Sequence, residues 1–282
     1  MHCNLNMKLV TFSILLLQLA SVNYVCGEKI SLSRDGEDFN IQLAPFQVLV
    51  VKIPVADNAK ICRGALVKNN ALVTSALCIS KLSNETKDLL VLNGRATNQT
   101  YWINSTVSKI TPHPKFNVSS TINNIAVIHL NKSFSSKPIS YSMKAPKENT
   151  GCKAYSYKPV PPSVVDVNTS CVHMCQKAYN VSSPRYDVDI NTMICTNDTS
   201  KKHVICEDDV GASLVCDNFL AGLAVYSQEC VNNKMASVFV SIPAYAKWID
   251  ITINSSSVNS MSSLSVIIGT IISFSITKLL SR

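Results

Sequence analysis

Several features are absent from this chain, and each absence excludes something. Lysine and arginine outnumber aspartate and glutamate by 26 to 18, yet no basic block or basic–aromatic interleaving gathers them. Nucleic-acid binding therefore has no support. No clean apolar run reaches the ~20 residues that a bilayer-spanning helix needs. No repeat of 20–50 residues recurs, which sets repeat architectures aside. Cys171-x-x-x-Cys175 with His173 has zinc-like spacing, but no second ligand pair follows, so neither metal nor cofactor is expected.

Both ends read as separate segments. Residues 1–27 place Lys8 ahead of the apolar run Leu9–Ala20, with Val25 and Gly27 suiting a cleavage site. This is the layout of a secretory signal peptide, with a mature start expected near Glu28. Earlier cleavage would retain Cys26. Residues 255–282 hold a serine-rich spacer, an apolar tail over Leu264–Ile276, then Lys278 and Arg282. Small residues from Asn254 onward, a polar spacer and a short apolar tail favour a glycolipid-anchor signal at Asn254. A single transmembrane helix with Lys278 and Arg282 inside is the rival. Either would hold the protein on the extracellular face of the plasma membrane; with neither, it is secreted.

The body, residues 28–254, is long enough for one large domain. Without the three basic residues of the two ends, the formal charge of +8 falls to +5, a mildly basic solvated surface. Nine Asn-x-Ser/Thr sequons start at Asn84, Asn98, Asn104, Asn117, Asn131, Asn168, Asn180, Asn197 and Asn254. In a secreted chain each occupied one must lie at the surface. Four of the nine fall between Asn84 and Asn117, so that stretch is expected to be a sugar-covered face.

Of eleven cysteines, Cys3 leaves with the signal peptide and Cys26 is expected to follow. Nine remain, which in an oxidising compartment makes four disulfides and one leftover; spacing alone leaves the pairing open. Short β-favouring runs, Phe46–Ile53, Leu89–Leu92, Ile125–Leu130, Val164–Val167, Leu214–Cys216, Leu220–Tyr226 and Ser237–Ile242, are separated by Asn, Ser, Pro and Lys. They predict an all-β barrel or sandwich. Pro243–Ile251 predicts a terminal helix packing Tyr245, Trp248 and Ile251.

Several motifs then fall into one order: Pro45-Phe46-Gln47-Val48, Cys62-Arg63-Gly64-Ala65-Leu66-Val67, Thr74-Ser75-Ala76-Leu77-Cys78, His113-Pro114-Lys115-Phe116, Asn123-Asn124-Ile125-Ala126-Val127, Cys175-Gln176-Lys177-Ala178-Tyr179, Met193-Ile194-Cys195, Cys206-Glu-Asp-Asp-Val-Gly211 and Trp248-Ile249. The series resembles the landmarks of trypsin-like serine proteases: Pro-Tyr-Gln-Val, Cys-Gly-Gly-Ser-Leu-Ile, Thr-Ala-Ala-His-Cys, His-Pro-x-Phe, Asn-Asp-Ile-Ala-Leu and the Gly-Asp-Ser-Gly loop. The resemblance covers residues 45–249. It implies two six-stranded antiparallel β-barrels with a short C-terminal helix. It also implies the pairs Cys62–Cys78, Cys152–Cys216, Cys175–Cys195 and Cys206–Cys230. Cys171 is left as a free thiol, a partner for a retained Cys26, or an intermolecular bridge.

In that family a histidine takes the serine proton and a buried aspartate holds the imidazole. The matching positions here are Leu77, Asn124 and Val210, none able to play its part. Asp208 stands where an oxyanion-hole glycine is expected, and a carboxylate there raises the energy of a developing oxyanion. Val204 stands at the base of the specificity pocket, and Val225, Tyr226 and Ser227 replace its Ser-Trp-Gly wall. Family zymogens are cut before Ile-Val-Gly-Gly, and the new amine pairs with the aspartate equivalent to Asp209. No such sequence precedes Pro45. Asp209 is therefore expected to be either water-exposed, in a zymogen-like loop, or bound to a neighbouring donor, with the loop in an inactive arrangement.

Ser213 could not readily substitute for the missing nucleophile, and His113, His129, His173 and His203 lie elsewhere in the pattern. The favoured expectation is a non-catalytic homologue of insect type, binding an extracellular protein such as an active protease or its substrate. The alternatives are a serine endopeptidase using a non-standard site, and a carbohydrate or surface-adhesion protein.

Overall fold

Apolar runs too short to be core helices pair edge to edge in the computed structural model, which describes residues 44–55, 60–94, 102–119, 122–156, 163–182, 187–198, 209–226 and 236–255. The first six strands are β1 (Gln47–Lys52), β2 (Ile61–Lys68), β3 (Ala71–Thr74), β4 (Leu89–Gly94), β5 (Trp102–Pro112) and β6 (Ala126–Leu130). They close in the order β1-β2-β3-β6-β5-β4. The second six are β7 (Gly151–Ser156), β8 (Ser163–Ser170), β9 (Met193–Asp198), β10 (Ser213–Cys216), β11 (Phe219–Tyr226) and β12 (Ser237–Ser241). These close as β10-β11-β12-β9-β8-β7, and every pairing in both barrels is antiparallel.

Strands this short close because bulges bend them. Registers shift at Leu66/Lys68 and Val107/Lys109 in the first barrel and at Leu214/Val215 and Ala224/Tyr226 in the second. Leu66, Leu72, Val91 and Ile128 fill the first barrel, and Leu220, Leu223 and Val240 of the second join the same buried cluster. Phe46 meets Tyr155 edge to face at 5.6 Å, joining the start of the first barrel to β7 of the second. The structure joins Cys62 to Cys78, Cys152 to Cys216 and Cys175 to Cys195. Cys171 is free and half-buried; Cys206 and Cys230 lie outside the described residues.

Helix α1 (Ala76–Leu82) follows β3, and α2 (Val172–Ser182) carries Cys175 against β9. A third helix, α3, covers residues 242–255 and so is longer than the sequence predicted. It takes Ile242 from the end of the predicted strand. Its buried face is Ile242, Tyr245, Ala246, Ile249, Thr252 and Ile253, the i, i+3, i+4, i+7 pattern of one stripe. Ile251 lies off that stripe and is 69% exposed, so the expected packing of Ile251 is corrected.

Asn84, Asn104, Asn117, Asn131, Asn168, Asn197 and Asn254 have exposed side chains. Asn98, the side chain of Asn180, the leader and the apolar tail lie outside the described residues. Among the described residues no helix is long and apolar enough to cross a membrane.

His113 lies in the turn after β5, its ring edge-on to Tyr245 and Trp248 of α3 at 5.1 and 4.9 Å. Its Nδ1 accepts the Lys115 N–H at 3.3 Å. Burial, then the Lys115 charge, holds its pKa below the usual histidine value. Burial also lowers that of His129 on β6, with Lys109 and Lys68 adding to the effect and a hydrogen bond with the Ile253 backbone opposing it. A histidine with a depressed folded pKa binds fewer protons folded than unfolded. Its contribution to stability is therefore present above about pH 6.5 and lost as pH falls from there through the folded pKa. Melting temperature is expected to drop between about pH 7.5 and 5, and His113→Phe to flatten part of that drop. A wild-type profile that rises towards acid would contradict the assignment.

Candidate functional site

Three segments meet where the barrels touch: the start of α1, the residues ahead of β6, and the turn ahead of β10. Ser75 starts α1 as its N-cap, its hydroxyl oxygen accepting the Cys78 N–H at 3.1 Å. The same hydroxyl donates to Asn124 Oδ1 at 2.8 Å, and the Leu77 N–H donates to that oxygen, also at 2.8 Å. One carboxamide oxygen thereby holds Asn124 and Leu77 together. Asn124 is fully buried, and its Nδ2 has no hydrogen-bond partner among the described residues. An unmet buried donor of this kind costs ~1–3 kcal/mol.

Asn123 positions Asn124 through its own left-handed backbone, φ 56°. Such a conformation suits asparagine better than most residues. Its side chain is held at both ends: Nδ2 donates to the Lys115 carbonyl at 3.1 Å, and Oδ1 accepts the Tyr245 hydroxyl, also at 3.1 Å. Burial raises the Tyr245 pKa, so that hydroxyl keeps its proton and remains a donor. Helix α3 thus reaches the loop that carries Asn124.

The third segment turns tightly. The Ala212 N–H donates to the Asp209 carbonyl, and the Gly211 N–H to the Ala224 carbonyl, each at 2.8 Å. Gly211 adopts φ +86°, and a Cβ there would stand 2.1 Å from the Arg63 carbonyl oxygen. Val210 sits within this turn, half-buried, its carbonyl accepting the Arg63 N–H at 3.4 Å. Asp209 is fully buried, with Oδ1 3.6 Å from Arg63 Nε. The Arg63 carbonyl in turn accepts the Thr74 hydroxyl at 2.6 Å, just ahead of α1. Leu77, Asn124 and Val210 therefore belong to one connected junction.

Val225 is buried on β11, and Tyr226 ends that strand. Val204, Asp208, Ser227 and His203 lie outside the described residues. Ser213 is fully buried on β10, and its hydroxyl has no hydrogen-bond partner among the described residues. A serine nucleophile needs a base within hydrogen-bond reach, and Ser213 has none there. His173 is exposed on α2. Among the described residues no group of His, Cys, Asp or Glu is arranged to hold a metal ion.

Sequence reasoning missed two parts of this junction. The Tyr245–Asn123 bond joins residues far apart in the chain, and no local pattern announces it. Arg63 did leave a signal: it stands between Cys62 and Gly64, where the resembled motif has glycine, in a strand whose neighbours are apolar.

Two closed six-stranded barrels meeting at such a junction define the double-barrel fold of trypsin-like serine proteases. The structure is similar to neuropsin, "a serine protease expressed in the limbic system of mouse brain", with a TM-score of 0.62 at 23% identity, covering 74% of this chain and 94% of that one. The family described as Trypsin matches residues 34–249. Trypsin alpha of Drosophila melanogaster is 30% identical over 210 residues, 69% of this chain and 78% of the relative. The vitellin-degrading protease of Bombyx mori is 25% identical over 267 residues, 87% of this chain and 94% of the relative. The chain belongs to the trypsin family.

Proposed function

We propose that this trypsin-family chain no longer hydrolyses peptide bonds and acts as a membrane-tethered protein-binding module on the outer cell surface. One observation carries the reading. Leu77 and Val210 offer neither a proton-transferring nitrogen nor an attacking oxygen, and Asn124 beside them is engaged only in fixing backbone and the α1 cap. Covalent acyl transfer needs a nucleophile and a base in contact. The Ser213 hydroxyl, without a hydrogen-bond partner among the described residues, supports the same reading. The relatives named above carry the names of proteases, and the residues at Leu77, Asn124 and Val210 set the reading for this chain apart from those names. With the chemistry gone, the function left to this junction and the surface around it is recognition, here of an extracellular protein, an active protease or its substrate.

Tethering rests on the tail after Asn254. Asn254 is exposed near the end of α3, and its Oδ1 accepts Lys68 Nζ at 2.7 Å. An anchor attached there would follow the helix directly and hold the barrels close to the membrane. Treating intact cells with a phosphatidylinositol-specific phospholipase is expected to release the protein into the medium. Retention on the cells, with total protein unchanged, would count against a lipid anchor. For the binding role, Tyr226→Ala and Asp208→Lys in a tagged ectodomain are expected to weaken capture of its partner about tenfold or more. Unchanged capture would move the interface away from the cleft.

A further inference from the structure

Asp209 is closed off from solvent, and burying a carboxylate this deeply is costly unless a cation and hydrogen bonds compensate. Among the described residues the cation facing it is Arg63, whose side chain is 9% exposed. Backbone contacts repeat the side-chain one. The Arg63 N–H reaches the Val210 carbonyl, and Gly211 lies so close to the Arg63 carbonyl that only a hydrogen fits at its α-carbon. Arg63 is itself fixed, because the neighbouring Cys62 is bridged to Cys78 on α1 and Thr74 bonds the Arg63 carbonyl. Strand β2 belongs to the first barrel, and the turn over residues 209–212 feeds β10 of the second.

We infer that Arg63 is the built-in counter-ion of Asp209, fixing the 209–212 turn and the junction between the barrels in the uncut chain. A guanidinium carried on β2 supplies the charge that a freshly cut amino terminus would otherwise have to bring. The turn is therefore set when the chain folds, and no processing step is needed to order it. Asp209 then sits in a fixed arrangement within ion-pair distance of a guanidinium, not in a loop waiting for an amine. The inference holds whether or not the cleft hydrolyses anything. For the binding reading, it means that the 209–212 turn is in place once the chain has folded.

The test is a double-variant cycle in the expressed full chain: Arg63→Met, Asp209→Asn and the two combined. Melting temperature and hydrogen exchange over residues 209–212 are the readouts. Arg63→Met alone is expected to lower the melting temperature by roughly 6–20 °C, the loss typical of breaking a buried pair in a domain of this size. It is also expected to speed exchange in the turn about tenfold or more. Adding Asp209→Asn is expected to recover at least about half of both losses, because no unpaired carboxylate remains. Strict additivity in the combined variant, or unchanged exchange in Arg63→Met, overturns the inference. If Arg63→Met is not secreted, secretion of the combined variant supports the pair. Failure of the combined variant while Asp209→Asn alone is secreted overturns it. So does a gain in protection of residues 209–212 when the chain is cut at the Lys29–Ile30 bond, on the segment ahead of β1, because a new amine would then be the preferred partner.

Discussion

Hydrolysis of peptide amides by the purified chain is expected to run about 10⁶-fold below that of an active family member, and no single reversion is expected to restore it. Val210→Ser supplies a hydroxyl, but leucine at position 77 cannot act as its base. Leu77→His supplies a base with nothing to deprotonate. Even the pair Leu77→His with Val210→Ser is expected to remain about 10⁴-fold below the same pair carrying Asn124→Asp. The reason lies in how Asn124 is held. Its Oδ1 is taken by the Ser75 hydroxyl and the Leu77 N–H, so the group left over is the Nδ2 amide NH2, which only donates. An imidazole needs an acceptor there to fix its Nδ1 proton; a donor selects the wrong tautomer. Initial rates on chromogenic peptide amides, with the reverted chains compared at equal folded concentration, read these differences. Turnover by the unreverted chain within about 10³-fold of an active relative would show that other groups carry the chemistry.

Gly211→Ala is expected to cost more than ~4 kcal/mol, or to prevent secretion of folded protein. Two effects add. A side chain at φ +86° is strained wherever it stands, and this Cβ would also meet the Arg63 carbonyl oxygen at 2.1 Å. The obstacle is backbone of the first barrel, held by the Thr74 hydroxyl and next to the Cys62–Cys78 bridge, so it cannot swing aside. Gly151→Ala makes the control. A Cβ there meets only the Asn168 side chain, at 3.8 Å, an ordinary contact. It is expected to change stability by less than ~0.5 kcal/mol, as surface substitutions usually do. Urea unfolding of the two secreted variants against wild type separates them. Equal midpoints would mean that the turn can relax away from β2, against the close approach described above.

The barrels were legible because their evidence is local. Val48–Val51, Ala126–Leu130 and Ser237–Ser241 are β-favouring runs of strand length, and the motif order from Pro45 to Trp248 fixes how such runs connect. Boundaries were less legible. Ile242 reads equally as the end of β12 or the start of α3, and Ile251 looked like a core residue until the helical stripe was fixed by Tyr245, Ile249 and Ile253. Within the site, the replaced residues Leu77, Asn124 and Val210 could be read from one-letter identity alone. Their partners could not. Arg63 and Asp209 are 146 positions apart, and Tyr245 is 122 positions from Asn123, separations that only closed barrels bring to contact distance. The arginine in place of a glycine was a visible departure, but nothing in the sequence says which carboxylate it faces.

Labelling of the purified protein with a serine-directed fluorophosphonate tests the central claim most directly, with Ser213→Ala run beside it. The proposed loss of chemistry at Leu77, Asn124 and Val210 predicts no covalent label on either protein. Label on the wild type that Ser213→Ala abolishes would assign a nucleophile to the buried hydroxyl of β10. Label that survives in Ser213→Ala would assign it to another side chain, and either result would contradict the account.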